Sequence, residues 1–398
     1  MKGFGMRRVY MDHAAGMPVD PRVLEAMKPY FENTYGNPSS LHSFAQEARK
    51  GLESAREKIV SLINAERDAE IVFTSGATES NNWAIRGVAA RNQDRGKHII
   101  TTSIEHMSVM NVCKYLTKQG FKVSFLPVDN YGIVDCEALK KELTDETILV
   151  SVMYANGEIG TIEPIKEVSE IVHSKNAYLH VDATAAMGQI PVDVQNEGID
   201  LLTLSSNDMY GPNGVGALYI KKGTRVEPLI YGGGQERGLR SGTENLPGIM
   251  GMGKAAELAK AEMGDEGKRL SKLRDKFIKR LLNKIPYSFL NGHPSKRLPN
   301  NVAVRFSFIE GESMLLNLDM AGVAASSGSA CTAKTLEPSH VLRAIGLKHE
   351  EAHGSLLFTL GRQNSEEDVD YVVGLLPDIV KRLRTMSPLT PKELRESV

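Results

Sequence analysis

Apolar and polar positions alternate over the first two-thirds of the chain in blocks that predict strands and helices in turn. Apolar runs of strand length occur at Ile71–Thr74, His98–Thr102, Lys122–Val128, Ile148–Met153 and Tyr178–Asp182. Segments with helical spacing are expected between them, over Glu79–Asn92, from about Ser108 to Gln119 and over Ile165–Ser174. Such alternation implies right-handed crossovers, hence a mostly parallel α/β sheet with helices on both faces. One further run, Leu201–Leu204, ends in Ser205-Ser206-Asn207-Asp208 and a Gly-Pro-Asn-Gly turn, after which Val215–Ile220 reads as a strand. Polar groups at the end of a buried strand are where α/β proteins place their ligands.

After about Glu257 the pattern changes. A charged amphipathic helix over Lys254–Leu282 leads to Asn301–Phe306, Val323–Ser326, a helix at Ser339–Ile345 and a last helix near Glu366–Arg384. The expected division is a large α/β domain over residues 16–256 and a smaller α+β domain from residues 1–15 and 257–398.

Composition narrows the class. The 398 residues are 41% hydrophobic and 24% charged with net charge −1, which suits a globular chain and gives no basic excess for nucleic acid. No apolar run is long enough to span a membrane, and the N-terminal residues have no apolar signal core. Three cysteines in this length point to a reducing compartment, so a cytoplasmic location is expected. Cys113 and Cys136 read as ordinary core or surface residues. Cys331 differs, because it sits in the small, flexible stretch AASSGSACTAK, where an exposed and reactive thiol is expected and Lys334 would help to stabilise a thiolate.

Other stretches carry candidate chemistry. FTSGATESNN places Ala77 and Thr78 between a strand and a helix, where phosphate binding and ordinary N-capping are both open. His106 precedes a helix, and alone it reads as structural. Asp182 ends a buried strand in HVDAT and leans towards function. GGGQERGLRSGT suggests a loop that approaches another backbone or a phosphate, against a plain surface turn.

Together and in this order, these motifs resemble the cysteine desulfurases of the NifS/IscS type, which are fold-type I pyridoxal phosphate enzymes. The resemblance also runs through MDHAA at Met11–Ala15, YGNPSSLH at Tyr35–His42, Gly157–Thr161 and Tyr210–Leu218. It implies a homodimer that takes sulfur from L-cysteine, forms a persulfide and passes it to an iron–sulfur scaffold protein (IscU-like). Carried over residue by residue, Ala77, Thr78 and Ser205 would hold the cofactor phosphate, as would Asn207 in place of a family histidine. Thr243 would reach the phosphate of the other subunit. His106 would stack on the ring, Asp182 would pair with the pyridine nitrogen, and Cys331 would be the persulfide-forming nucleophile.

The departures lie where that chemistry is most demanding. The family's Ser-x-His-Lys is Ser205-Ser206-Asn207-Asp208 here, so Asp208 stands where the Schiff-base lysine belongs. Gly157 and Ala185 replace an asparagine and a glutamine that bond the ring hydroxyl. Leu357 replaces the arginine that clamps the substrate carboxylate, which leucine cannot imitate. Three readings result: a cysteine desulfurase-like protein with cofactor held non-covalently or served by an unusual base, a relay without pyridoxal phosphate, or, last, an unrelated use of the pocket. In the second, Cys331 accepts sulfur from another donor or ligates a transient 2Fe-2S cluster shared with the scaffold.

Overall fold

The computed structural model describes residues 7–327 and 338–393. At its centre is a seven-stranded sheet. In chain order the strands are β1 (Ile71–Thr74), β2 (His98–Thr102), β3 (Lys122–Leu126), β4 (Thr147–Met153), β5 (Tyr178–Asp182), β6 (Leu201–Ser205) and β7 (Gly216–Ile220). Across the sheet they run β1-β7-β6-β5-β4-β2-β3. β7 is antiparallel to both neighbours and the other pairs are parallel. This is the mostly parallel α/β sheet the alternation predicts. β3 stops at Leu126 because Pro127 cannot donate to the ladder.

Both faces of the sheet are buried, and neighbouring residues on one strand enter different cores. Val150 and Leu202 face a core shared with Leu52 and Ile59 of the helix Ser43–Ile63. Leu149 and Leu201 face another, filled by Trp83, Val88 and Val112. A separate core gathers Met11, Phe277, Val304, Phe358 and Val372 around the antiparallel strands Ser288–Leu290, Asn301–Phe306 and Ser355–Thr359. The helix Leu246–Lys284 joins the two regions: Ile249 to Ala259 pack on the large sheet and Leu270 to Leu281 on the small one.

That helix begins at Leu246 rather than Lys254. Its first turns are rich in glycine, which weakens a helix in isolation. Here glycine is required by close packing, since a Cβ on Gly253 would stand 2.6 Å from that of Ala55 and one on Gly251 would meet Pro212 at 2.7 Å. The Asn245 side chain caps it by accepting from the Gly248 amide.

The helix Ser43–Ile63 also carries a buried cation. Arg56 is 1% exposed and forks onto Glu236 at 2.9 and 2.8 Å. Glu236 also accepts from the Phe73 amide, and Arg56 donates to the Ile71 carbonyl. The pair therefore ties β1 to the loop Gly232–Thr243, although Glu236 (φ 48°) and Arg237 (φ 59°) both hold left-handed backbone. Glu236→Ala leaves the buried guanidinium with only the half-exposed Glu53 and the Ile71 carbonyl as polar partners, and is expected to cost about 2–4 kcal/mol in chemical denaturation. A loss below about 1 kcal/mol would show that the pair does not hold the loop.

Candidate active site

A cavity of about 560 Å³ opens beyond the C-terminal ends of the central strands. Ala77, His106 and Asp182 line it, and so do Gly157, Ala185, Asp208 and Leu357. Three of the retained positions and four of the altered ones thus meet in one space.

The phosphate side is built on β1 and the helix Ala77–Arg91. Gly76, at φ 146°, turns the chain between them in a conformation that favours glycine, and no side chain caps the helix. Its first-turn N–H groups are left for an anion. Glu79 steadies the loop by accepting from the Ser75 amide and from Arg240. Thr78 lines an adjoining recess of about 550 Å³ beside His106.

The ring side is organised by Asp182, which is 5% exposed. One of its oxygens accepts from Asn81 at 2.7 Å; the other accepts from the Thr184 amide and hydroxyl at 3.0 and 2.6 Å. Asn81 also donates to the Ser108 hydroxyl, which lies 2.8 Å from His106 Nδ1, and the Ser108 amide donates to the same nitrogen. Nδ1 is therefore an acceptor, and the neutral ring carries its proton on Nε2. Asn81 and Ser108 escaped the sequence reading because a family motif marks the groups that touch a ligand, not those that orient them.

Asp208 stands in the turn Asn207–Met209 that follows β6. Burial, with the negative charge of Asp182 adding to it, pushes its carboxyl up to about 7, against a hydrogen bond from Ser205. Asn207 does not line the cavity; its side-chain oxygen accepts from the Met17 amide. Gly157 and Ala185 face each other, since a Cβ on Gly157 would meet that of Ala185 at 3.5 Å, so the wall between them offers no polar side chain. Leu357 is buried in the wall, with its backbone paired to Ser326 in both directions. Thr243 is exposed and does not line its own chain's cavity. Cys331 and Lys334 lie outside the described residues.

Two further carboxyls were not anticipated. Glu105 is fully buried, and burial pushes it up to about 8 although one oxygen accepts from Thr102 and the Met153 amide. Its other oxygen has no partner. Burial pushes Glu158 up to about 8 as well, against the hydroxyl of Ser339 at 2.7 Å. With Asp12, Asp182 and Asp208 they make five acidic residues around the cavity, while no lysine or arginine lines it among the described residues.

A strand-end carboxylate, a histidine beside it and an uncapped helix N-terminus above a mostly parallel sheet define the frame of a fold-type I pyridoxal phosphate enzyme. Residues 9–372 match the aminotransferase class-V family, and the chain belongs to that family. Within it the chain is similar to the cysteine desulfurases. It is 61% identical over 380 residues to cysteine desulfurase IscS 1 of Archaeoglobus fulgidus, covering 96% of this chain and 99% of that one. It is 54% identical to cysteine desulfurase IscS of Methanosarcina thermophila, over 98% and 96% of the two chains. A solved NifS-like protein superposes with a TM-score of 0.89 at 41% identity, covering 95% of this chain and all of the other.

Pyridoxal phosphate is the cofactor of this family, and the residues present fit it in part. Asp182 and His106 would hold the ring, and the first-turn amides with Thr78 the phosphate, whereas Ser205 lines neither cavity and its side chain bonds Asp208. The aldehyde has no amine to bond, because the described cavity wall holds no lysine. Among the described residues, none fits a covalent anchor for the cofactor.

The buried acids make stability depend on pH. Glu105 ordinarily ionises near 4.5 but keeps its proton in the fold up to about 8. Between those values the folded chain binds the extra proton, so stability falls as pH rises. Glu105→Gln removes this burden. Its stability relative to the native chain is expected to improve from pH 5 to pH 8 by up to about 3 kcal/mol in urea unfolding. A difference that stays constant over this range would mean that Glu105 is ionised in the fold.

Proposed function

We propose that this member of the cysteine desulfurase group supplies sulfur for iron–sulfur cluster assembly as a persulfide on Cys331. It would act as a cytoplasmic homodimer and hand the sulfur to a scaffold protein (IscU-like). The observation that carries this reading is the state of the other two thiols. Burial pushes Cys113 up to about 12 and Cys136 up to about 11, the latter with help from Glu167. Neither is a thiolate near neutral pH, so nucleophilic sulfur chemistry falls to Cys331.

The cavity is the natural place for Cys331 to collect sulfur. Ser326 and Ser339, which flank residues 328–337 in the chain, both line it. The far flank is fixed there: Ser339 donates to Glu158, and His340 Nε2 donates to the Glu105 carbonyl at 2.9 Å. The donor would be L-cysteine or a persulfide. When bound, pyridoxal phosphate supplies the electron sink for bond cleavage at a substrate α-carbon. This chain's own contribution is to hold the ring through Asp182, set His106 beside it through Ser108 and present Asp208 to the cavity. A persulfide donor needs no such sink. The Cys331 thiolate attacks its outer sulfur, the S–S bond breaks, the donor leaves as a thiolate that takes up a proton, and no net oxidation occurs.

A second reading is favoured by Asp208 and Leu357. With neither the anchoring lysine nor the carboxylate clamp, the chain would work without pyridoxal phosphate, as a relay whose Cys331 accepts sulfur or ligates a nascent 2Fe-2S cluster beside the scaffold. Both readings place the reactive thiol at Cys331. Incubation with a small-molecule persulfide, followed by intact mass and peptide mapping, is expected to find one added sulfur on Cys331. Loading should fall at least tenfold in Cys331→Ala. Equal loading of that variant would overturn the assignment. Conversion of L-cysteine to alanine with added cofactor, lost in Cys331→Ala, would select the desulfurase reading over the relay.

A further inference from the structure

We infer that the cavity binds pyridoxamine 5′-phosphate, the amine form of the family's cofactor, in preference to the aldehyde form, with the Asp208 carboxylate pairing with the ligand's aminomethyl ammonium. In a lysine-bearing site the protein supplies the amine and the ligand the carbonyl. Here the polarity is inverted. Asp208 cannot form an imine with an aldehyde and can at most donate a neutral hydrogen bond to it, but as a carboxylate it accepts a stronger, charge-assisted hydrogen bond from an ammonium.

Three observations support the inversion. First, reach is conserved. A carboxylate, one hydrogen bond of about 2.8 Å and the aminomethyl bond span about the length of an extended lysine bonded to the same carbon. Second, the wall is rich in carboxyl oxygens and holds no lysine or arginine among the described residues. Burial favours the protonated forms of Glu105, Glu158 and Asp208, so an ammonium is matched by hydrogen bonding to them rather than by a standing negative charge. Asp12 and Asp182 line the cavity with them, and a buried oxygen of Glu105 is without a partner. Asp208 is strained by this company, since burial and Asp182 both act against its ionised form. An ammonium beside it would relieve that cost. Third, the rest of the ligand has partners that do not depend on position 208. Asp182 is fixed by Asn81 and Thr184, His106 by Ser108, and the helix starting at Ala77 has no side-chain cap.

The inference goes beyond sulfur handling at Cys331 and is tested without that thiol, so the two can fail separately. Isothermal titration of the purified full chain at one fixed pH compares pyridoxamine 5′-phosphate with pyridoxine 5′-phosphate. The two ligands differ only in an ammonium against a hydroxyl. The amine is expected to bind about ten- to a hundredfold more tightly, the worth of one hydrogen bond to a charged group. Pyridoxal 5′-phosphate should also bind at least tenfold more weakly than the amine, with borohydride reduction and mass mapping used to set aside adducts on surface lysines. In Asp208→Asn the preference for the amine over the hydroxyl ligand should shrink to within about threefold. Equal affinities in the native chain, binding of neither ligand, or a preference that survives in Asp208→Asn would each overturn the inference. Should the variant fail to fold, the native comparison decides alone.

Discussion

A carboxylate buried at the end of a central strand costs several kcal/mol unless hydrogen bonds replace its water. Asp182 is satisfied by two such sets, and meeting its need arranges the whole site. Asn81 must lie in the helix Ala77–Arg91 with its amide aimed at the strand end, which fixes that helix and its uncapped N-terminus over the sheet. The same amide holds Ser108, and Ser108 sets the ring nitrogen of His106. One carboxylate thus orients the phosphate loop, the histidine and, through Thr184, the turn that carries Ala185. The frame for a pyridine ring persists because it is also the solution to a buried charge.

That frame explains how the lysine position can change without loss of the fold. Asp208 sits in a turn secured by other groups. Tyr210 takes a left-handed conformation at φ 61°, its hydroxyl accepts from the Arg362 amide, and the Arg362 guanidinium stacks on its ring at 4.5 Å. Arg362 also reaches Asp20 at 2.6 Å. None of these bonds involves the side chain at 208. The turn keeps its shape whatever stands there, and the chemistry of the position is free to differ.

The sequence made the sheet legible because its strands are apolar runs bounded by proline, glycine or strand-end polar residues. The alternation gave five of the parallel strands nearly residue by residue. The helix Ser43–Ile63 lies outside the strand–helix alternation; its buried face carries Leu52, Ile59 and Ile63 but also three alanines and the buried cation Arg56. At the site, family comparison exposed Asp208, Gly157, Ala185 and Leu357, because each occupies a place where a named group is expected. It did not expose Glu105 and Glu158. Glutamate reads as a surface residue from composition, and their burial arises only when β2, β4 and the Gly157–Thr161 turn are brought together in space.

Those two glutamates change what the substitutions mean. Taken singly, Leu357 and Asp208 each remove one function, a carboxylate clamp and a covalent anchor. Taken with four more acids and no lysine or arginine on the wall, they leave the described site without a fixed cation. A ligand that carries a phosphate would then rely on the helix N-terminus and nearby hydroxyls rather than on a lysine or arginine of the described wall. A free amino acid could contribute an ammonium, but its carboxylate would meet Leu357 and the acids beyond it. Among the described residues the wall offers that carboxylate no lysine or arginine as a partner. The same physics leaves a persulfide thiol less opposed, since it can approach uncharged and needs no clamp.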